Sequence, residues 1–245
     1  MHKKIAKKTK IRKGKDSKAF WDKEYREPSI FNLSIEPAED VRKFARWIER
    51  KSGKGILSNN TNVLDLGTGN GRNLIWLART FGVKGVGYDI SNVAILQAKN
   101  EARGLPLSFE ARSIAGIFDL ADNSVDIVLD MMTSHYLKEA ERKLYLNEIS
   151  RVLSFRGWLL FKSFLLEEDR NAARLLRESP AGEDNAYLHP RHGQYEYVWE
   201  EEKMRNYFSP NFEIEKVERS GKHLKDGRAF KRRHIVAYMS RKWRD

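Results

Sequence analysis

Apolar residues along this chain switch repeatedly between two spacings. In residues 36–51, Val41, Phe44, Ala45 and Ile48 fall at i, i+3, i+4 and i+7. That stripe predicts a helix with Pro37 in its first turn and Ser52-Gly53 at its end. Val63, Leu64 and Leu66 then form a short continuous run, the mark of a buried strand, and Leu74, Leu77, Ala78 and Phe81 resume the helical stripe. Further strands are predicted over 83–89, 105–111, 125–129 and 158–164. Between them fall a helix capped by Ser91 with Ala94, Ala98 and Ala102 on one face, a helix over 139–153 and, after the last, one over 167–177. Strand and helix alternating in this way predict a parallel sheet with right-handed crossovers. Residues 179–196 break the periodicity and are rich in Gly, Pro and Asn, as a long loop would be. A helix over 200–208 follows, then strands over 212–218 and 234–239 with the turn signal Asp226-Gly227 between them.

Composition changes this picture mainly at the ends. The 245 residues suit one α/β domain with additions, and the absence of cysteine excludes disulfides and cysteine-based metal sites. No apolar run approaches the length of a membrane span and the N-terminus lacks a signal-peptide core, so a cytoplasmic location is expected. The net charge of +12 is uneven: residues 1–18 carry +8, residues 219–245 carry +8, and the middle is left at −4. Residues 1–18 have almost no apolar content and read as a disordered tail. Basic ends of this kind suit contact with RNA or another polyanion, or serve solubility.

The candidate chemistry sits where the first strand meets its helix, residues 62–73, NVLDLGTGNGRN. Gly67, Gly69 and Gly71 allow a tight turn and close approach of a ligand to bare backbone, and the helix behind them starts with unpaired N–H groups. Such a turn suits a dinucleotide, a phosphate or an adenosyl group. The spacing is G-x-G-x-G, unlike that of dinucleotide binders or P-loops, and Asp65 at the strand end favours a ligand with a positive amino group. Asp89 lies 20 residues beyond Gly69, at the end of the second strand, where an acid can accept from both ribose hydroxyls. The stretch from Asp130 through His135 and Tyr136 follows the fourth strand, at the carboxyl edge where α/β sheets bind ligands. His189 and His192 in the long loop show no third ligand nearby in sequence, and no metal is expected.

Residues 65–71 resemble motif I of the class I S-adenosylmethionine-dependent methyltransferases, and 122–126 resembles that superfamily's D-N-S-F-D with Val125 in place of Phe. The resemblance spans residues 59–241. It implies a Rossmann-like, doubly wound, mostly parallel seven-stranded sheet ending in an antiparallel C-terminal hairpin. It implies S-adenosylmethionine as cofactor, with Asp65, Gly67, Thr68, Gly69 and Gly71 at its amino-acid end and Asp89 with Ile90 at the ribose. Many relatives carry an acid at the adenine edge. This chain has Arg112-Ser113-Ile114, which leaves Ser113 and the Ile114 backbone for that part. Asp130, also counted among the cofactor contacts, His135 and Tyr136 are the candidates for positioning the acceptor or removing its proton. On this reading 1–18 is the basic tail, 19–53 a helical segment whose Phe20, Trp21 and Tyr25 form a lid, and 54–245 the methyltransferase domain. Two alternatives stand beside it: an RNA-binding protein or RNA methyltransferase working through the basic ends, and aminopropyl transfer on the same fold. The pattern names neither the methyl acceptor nor the oligomeric state.

Overall fold

Seven strands form one twisted sheet in the order β3-β2-β1-β4-β5-β11-β8 in a computed structural model of the chain. The structure describes residues 16–31, 33–221, 224–225, 228–229 and 231–242. Most of the basic tail, residues 1–15, and the turn at 226–227 lie outside them.

The strands are β1 (Asn62–Leu66), β2 (Lys84–Asp89), β3 (Leu107–Ala111), β4 (Val125–Met131), β5 (Leu153–Phe164), β8 (Phe212–Arg219) and β11 (His234–Arg241). The first five pair in parallel, and β11 runs antiparallel to both β5 and β8. The fold class expected from the alternation is the one found, with the antiparallel strand inserted between β5 and β8. Helices α1 (Ser17–Arg26), α2 (Glu39–Ser52), α3 (Arg72–Phe81), α4 (Asn92–Glu101), α5 (Glu139–Val152), α6 (Arg170–Glu178) and α7 (Glu201–Phe208) surround the sheet. No described helix is long and apolar enough to cross a membrane.

Side-chain alternation along each strand divides the core in two. Val63 and Leu160 face a layer with Phe44 and Ile48 of α2 and Leu74 of α3. Leu64, Leu66 and Phe161 face the other, with Tyr145 and Ile149 of α5 and Phe208 of α7. Ser91 caps α4, its Oγ accepting from the Ala94 amide at 3.1 Å.

Several boundaries differ from the pattern, each for a local reason. Helix α2 begins at Glu39, because Pro37 precedes its cap and the Ala38 amide is held by Asn73 Oδ1 at 2.9 Å. Strand β5 starts straight from α5 at Leu153 rather than at 158, and the extra residues, Arg156-Gly157 among them, are absorbed as a register shift against β4. The 179–196 stretch is not all loop: it contains β6 (Ala186–Leu188), paired antiparallel with β7 (Tyr195–Tyr197). A small second hairpin, β9 (Leu224–Lys225) with β10 (Arg228–Ala229), lies between β8 and β11.

Candidate functional site

The glycine turn after β1 is the floor of a ligand-sized cavity. Gly67, Gly69 and Gly71 have φ of +69°, +58° and +80°, the left-handed region that glycine enters without strain. Four of the turn's amides are occupied within the protein. Those of Gly67 and Thr68 donate to the Tyr88 carbonyl at 2.7 and 2.9 Å, and that of Gly71 to the Thr68 carbonyl at 3.0 Å. The Gly69 amide donates to Asp89 Oδ2 at 2.9 Å. At those four positions the turn offers a ligand close approach and carbonyl oxygen rather than free N–H groups. The three glycines also differ in task. Gly67 and Gly69 line the cavity, whereas a Cβ on Gly71 would press on Ile75, Ala98 and Phe109 in the core.

Three aspartates end the central strands, and each is placed differently. Asp89 lines the cavity, and its Oδ1 also accepts from the Ser91 amide at 2.8 Å. Asp65 lies beneath the turn, buried, with Thr68 Oγ1 donating to its Oδ2 at 2.8 Å. Asp130 is fully buried and does not line the cavity. Its Oδ1 accepts from the Thr133 and Ser134 amides at 3.0 and 3.2 Å, and its Oδ2 from the Tyr145 hydroxyl at 2.7 Å. It thereby holds a strained turn, since Met132 sits at φ +69°. That turn brings Thr133 against Gly67 and carries His135 and Tyr136 into the cavity wall.

Burial pushes the Asp65 carboxyl up from 3.8 to about 7. Between those values the folded chain binds a proton that the unfolded chain has released, so stability falls as pH rises through the window. The melting temperature of the ligand-free protein should fall more steeply from about pH 5 to about pH 7.5 than that of Asp65→Asn. Parallel profiles for the two proteins would remove the assignment.

Helix α1 roofs the cavity. Ser17, Trp21 and Tyr25 line it, joined by Phe31, Leu33 and Ser34 from the segment that follows. Its anchors on the β2–α4 edge are polar. Ser91 Oγ donates to Asp22 Oδ1 at 2.7 Å, Gln97 Nε2 to the Tyr25 carbonyl at 2.8 Å and Lys18 Nζ to the Ile90 carbonyl at 3.3 Å. Ile90, Ser113 and Ile114 continue the wall beyond Asp89. The cavity holds about 540 Å³. His135 is 2% exposed and neither ring nitrogen has a hydrogen-bond partner among the described residues. Burial drives its pKa down to about 4, so the ring is neutral near pH 7.

Beside this wall the β6–β7 hairpin supplies what the sequence did not show. His189, His192 and Glu196 bring one donor atom each within 4.8 Å of one another. Glu196 is already compensated: His192 Nε2 lies 3.2 Å from Oε1, the Tyr187 hydroxyl donates to Oε2, and Arg232 stands 3.7 Å away. Burial alone would raise its pKa, but His192 and the nearby groups outweigh it and hold the carboxyl at about 2. The two imidazoles stack in parallel planes, at 3.9 Å and 5°, so their in-plane lone pairs do not converge. The C-terminal basic cluster divides as well. Arg232 pairs with buried Asp169, and Arg233 donates to the carbonyls of Ser220 and Gly221 and pairs with Glu168, so these two charges are committed inside the protein.

Comparison with known proteins follows from this geometry. Residues 57–216 match the model of a family described as methyltransferase domain. The chain is similar to a glycine/sarcosine/dimethylglycine N-methyltransferase of Actinopolyspora halophila, 30% identical over 129 residues that make up 51% of this chain and 22% of that protein. Most of that relative therefore has no counterpart in the match. Among solved structures, an S-adenosylmethionine-dependent methyltransferase from Methanosarcina mazei aligns with a TM-score of 0.66 at 20% identity, over 78% of this chain and 97% of that one. The PH0226 protein from Pyrococcus horikoshii OT3 aligns at 0.63 and 21% identity, over 89% and 98%. At these identities the likeness to the solved structures is one of fold.

Proposed function

The chain belongs to the S-adenosylmethionine-dependent methyltransferase domain family, and from that premise we propose that it transfers the methyl group to a small acceptor enclosed beneath α1. One observation carries the reading: Gly67 and Gly69 line the cavity with bare backbone, approached so closely by Thr133 and Tyr25 that neither position has room for a Cβ, with Asp89 beside them. These residues fit the cofactor. The Gly67, Thr68, Gly69 and Gly71 donors are occupied, so the turn's carbonyls, with Asp65 beneath, suit an ammonium. Asp89 retains lone pairs beside its two amide bonds for the ribose hydroxyls. Ser113 and the Ile114 backbone edge the base.

When bound, S-adenosylmethionine supplies a methyl group already activated on a sulfonium. The protein's own share is orientation and exclusion of water. Holding an acceptor at near-attack distance contributes about 7–11 kcal/mol. His135 and Tyr136 face the acceptor in this reading, while Asp130 acts through the turn that presents them. The cavity's 540 Å³ falls in the roughly 300–1,000 Å³ of small-molecule sites and must hold cofactor and acceptor together, which favours a small acceptor over a polymer.

Titration calorimetry with S-adenosylmethionine tests the proposal. The wild type should bind, and Asp89→Asn should bind about 1.5–3 kcal/mol more weakly, the range for hydrogen bonds to a charged group. Asparagine also turns an N–H toward the Gly69 or Ser91 amide, so the melting temperature should fall with it. No heat from the wild type, or equal affinity in the variant, would sink the reading.

A further inference from the structure

Two carboxylates line the cavity among the described residues, Asp89 and Glu141. Asp89 belongs with the ribose in the reading above. Glu141 stands on a different element, in the first turn of α5.

Helix α5 turns Glu141 toward the segment that follows β3. Glu141, Tyr145 and Glu148 fall at i, i+4 and i+7, on one face of the helix. Tyr145 packs in the same core layer as Ile114, Phe118 and Leu137, and Glu148 Oε2 accepts from the Phe118 amide at 2.7 Å. One turn on, Arg151 donates to the Leu120 and Phe118 carbonyls at 2.8 and 3.0 Å. Arg142 points away from that segment: it pairs with Glu183, and its guanidinium lies 3.8 Å from the Tyr197 ring centroid, against the β6–β7 hairpin. Glu141 therefore borders the cavity on the side of Ile114 and Leu137, which line it too.

The carboxylate is held in place. Its Oε2 accepts from the Lys138 amide at 2.8 Å, part of a capping box at the start of the helix. Oε1 has no partner among the described residues. A ribose at Asp89 sends the base past Ile90 to this end of the cavity, where the other polar side chains are engaged. The Arg112 guanidinium donates to the Ile117 carbonyl at 3.1 Å and to Glu110 at 3.3 Å. Ser113 is exposed, and its Oγ already accepts from the Ala115 amide at 3.1 Å. The exocyclic amino group of adenine is a donor, and a carboxylate is a stronger acceptor for it than a hydroxyl.

We propose that Glu141 Oε1 accepts from the amino group of the cofactor's adenine, a role that the residues after β3 leave open; this rests on the methyltransferase reading above. The contact makes Glu141 a specificity-determining residue. It selects a 6-aminopurine and disfavours a 6-oxopurine, whose oxygen would face the carboxylate with no proton between them.

Calorimetry on the full chain with S-adenosylhomocysteine and its deaminated counterpart, S-inosylhomocysteine, tests this. Wild type should prefer the adenosyl compound. In Glu141→Gln the Lys138 amide should still hold the side-chain oxygen, which leaves the amide nitrogen toward the base, where it donates to the inosyl oxygen. The ratio of the inosyl Kd to the adenosyl Kd should therefore fall at least about tenfold, near the lower end of what a hydrogen bond to a charged group contributes, since Glu141 is half-buried. Comparing that ratio between proteins cancels the other contacts of the base. Glu141→Ala loses the cap as well. It should melt lower and bind S-adenosylhomocysteine about tenfold more weakly per folded molecule, with the inosyl compound bound no worse. If one variant fails to fold, the ratio in the other decides. A ratio that stays within about twofold of the wild-type value overturns the proposal. If wild type binds neither compound, the methyltransferase reading falls. If it binds S-adenosylhomocysteine and the ratio is unmoved by the variants, this inference alone falls.

Discussion

Gly69→Val should lower the affinity for S-adenosylmethionine at least about a hundredfold, about 2.7 kcal/mol, in a protein that still folds. Two effects coincide at this position. Its φ of +58° belongs to a region where an L side chain costs about 1–2 kcal/mol. A Cβ there would also overlap the Tyr25 hydroxyl, so the roof helix and the new side chain compete for the space a ligand must enter. Tyr25 is the far end of a flexible side chain and can yield, which is why the fold should survive. The neighbouring glycines provide the controls. At Gly67 a Cβ would overlap three Thr133 atoms, and the substitution should disturb the strained turn as well as the cradle. At Gly71 it would crowd Ala98 and Phe109 in the core, so Gly71→Ala should cost stability while affinity per folded molecule holds. Calorimetry beside circular dichroism separates the three. A folded Gly69→Val that binds like wild type would remove this turn as the binding element.

The largest loss of stability is expected from Asp169→Ala, at about 3–5 kcal/mol, the range for breaking one side of a buried ion pair. The Asp169 side chain is 0% exposed, and its Oδ2 accepts from Arg232 Nε at 2.8 Å and from the Arg233 amide at 2.9 Å. Its Oδ1 caps α6 by accepting from the Ala172 amide at 2.9 Å. Burial alone would raise this carboxyl, but Arg232 and the amides outweigh it and hold it below 3.8. Removing the carboxylate leaves Arg232 buried without its main counter-charge and strips the helix of its cap. Urea denaturation should show the midpoint falling with little change in slope. A loss under about 1 kcal/mol would mean that the pair is solvated and contributes as surface pairs do. The same geometry constrains any test of the basic C-terminal cluster: neutralising Arg232 would measure stability before it measured affinity for a polyanion.

The sheet and the first glycine turn were legible because their signals are local. Period two, period 3.6 and a run of glycines each concern residues a few positions apart. Asp89 was legible for a related reason: one βα unit fixes its offset from Gly69. The site's other half was not legible, because distant segments make it. Ser17 Oγ donates to Gln194 Oε1 at 2.5 Å across 177 positions, and the Phe20 ring lies 5.5 Å from His192. Phe31 carried no periodic signal at all. Glu196 follows His192 by four residues, yet only the hairpin turn brings it to the imidazoles. The aspartates show a finer limit. Sequence places all three at strand ends, but one lines the cavity, one lies beneath the turn and one is sealed by Tyr145. The difference depends on which side each strand turns its side chain.

Strand β11 has a consequence for how this chain is made. It lies between β5 and β8, pairing residue for residue from His234↔Phe164 to Ser240↔Trp158 on one side, yet it is synthesised after both. Until residues 234–241 leave the ribosome, β5 presents an open edge bearing Leu159, Leu160 and Phe161, all of which end fully buried. An unpaired apolar edge of this kind invites pairing with other chains. The nascent protein therefore passes through a window in which the centre of its sheet is exposed although six of the seven strands have been made. Chaperone demand should peak before residues 234–241 emerge, and a ribosome stalled before residue 234 should yield aggregation-prone chains.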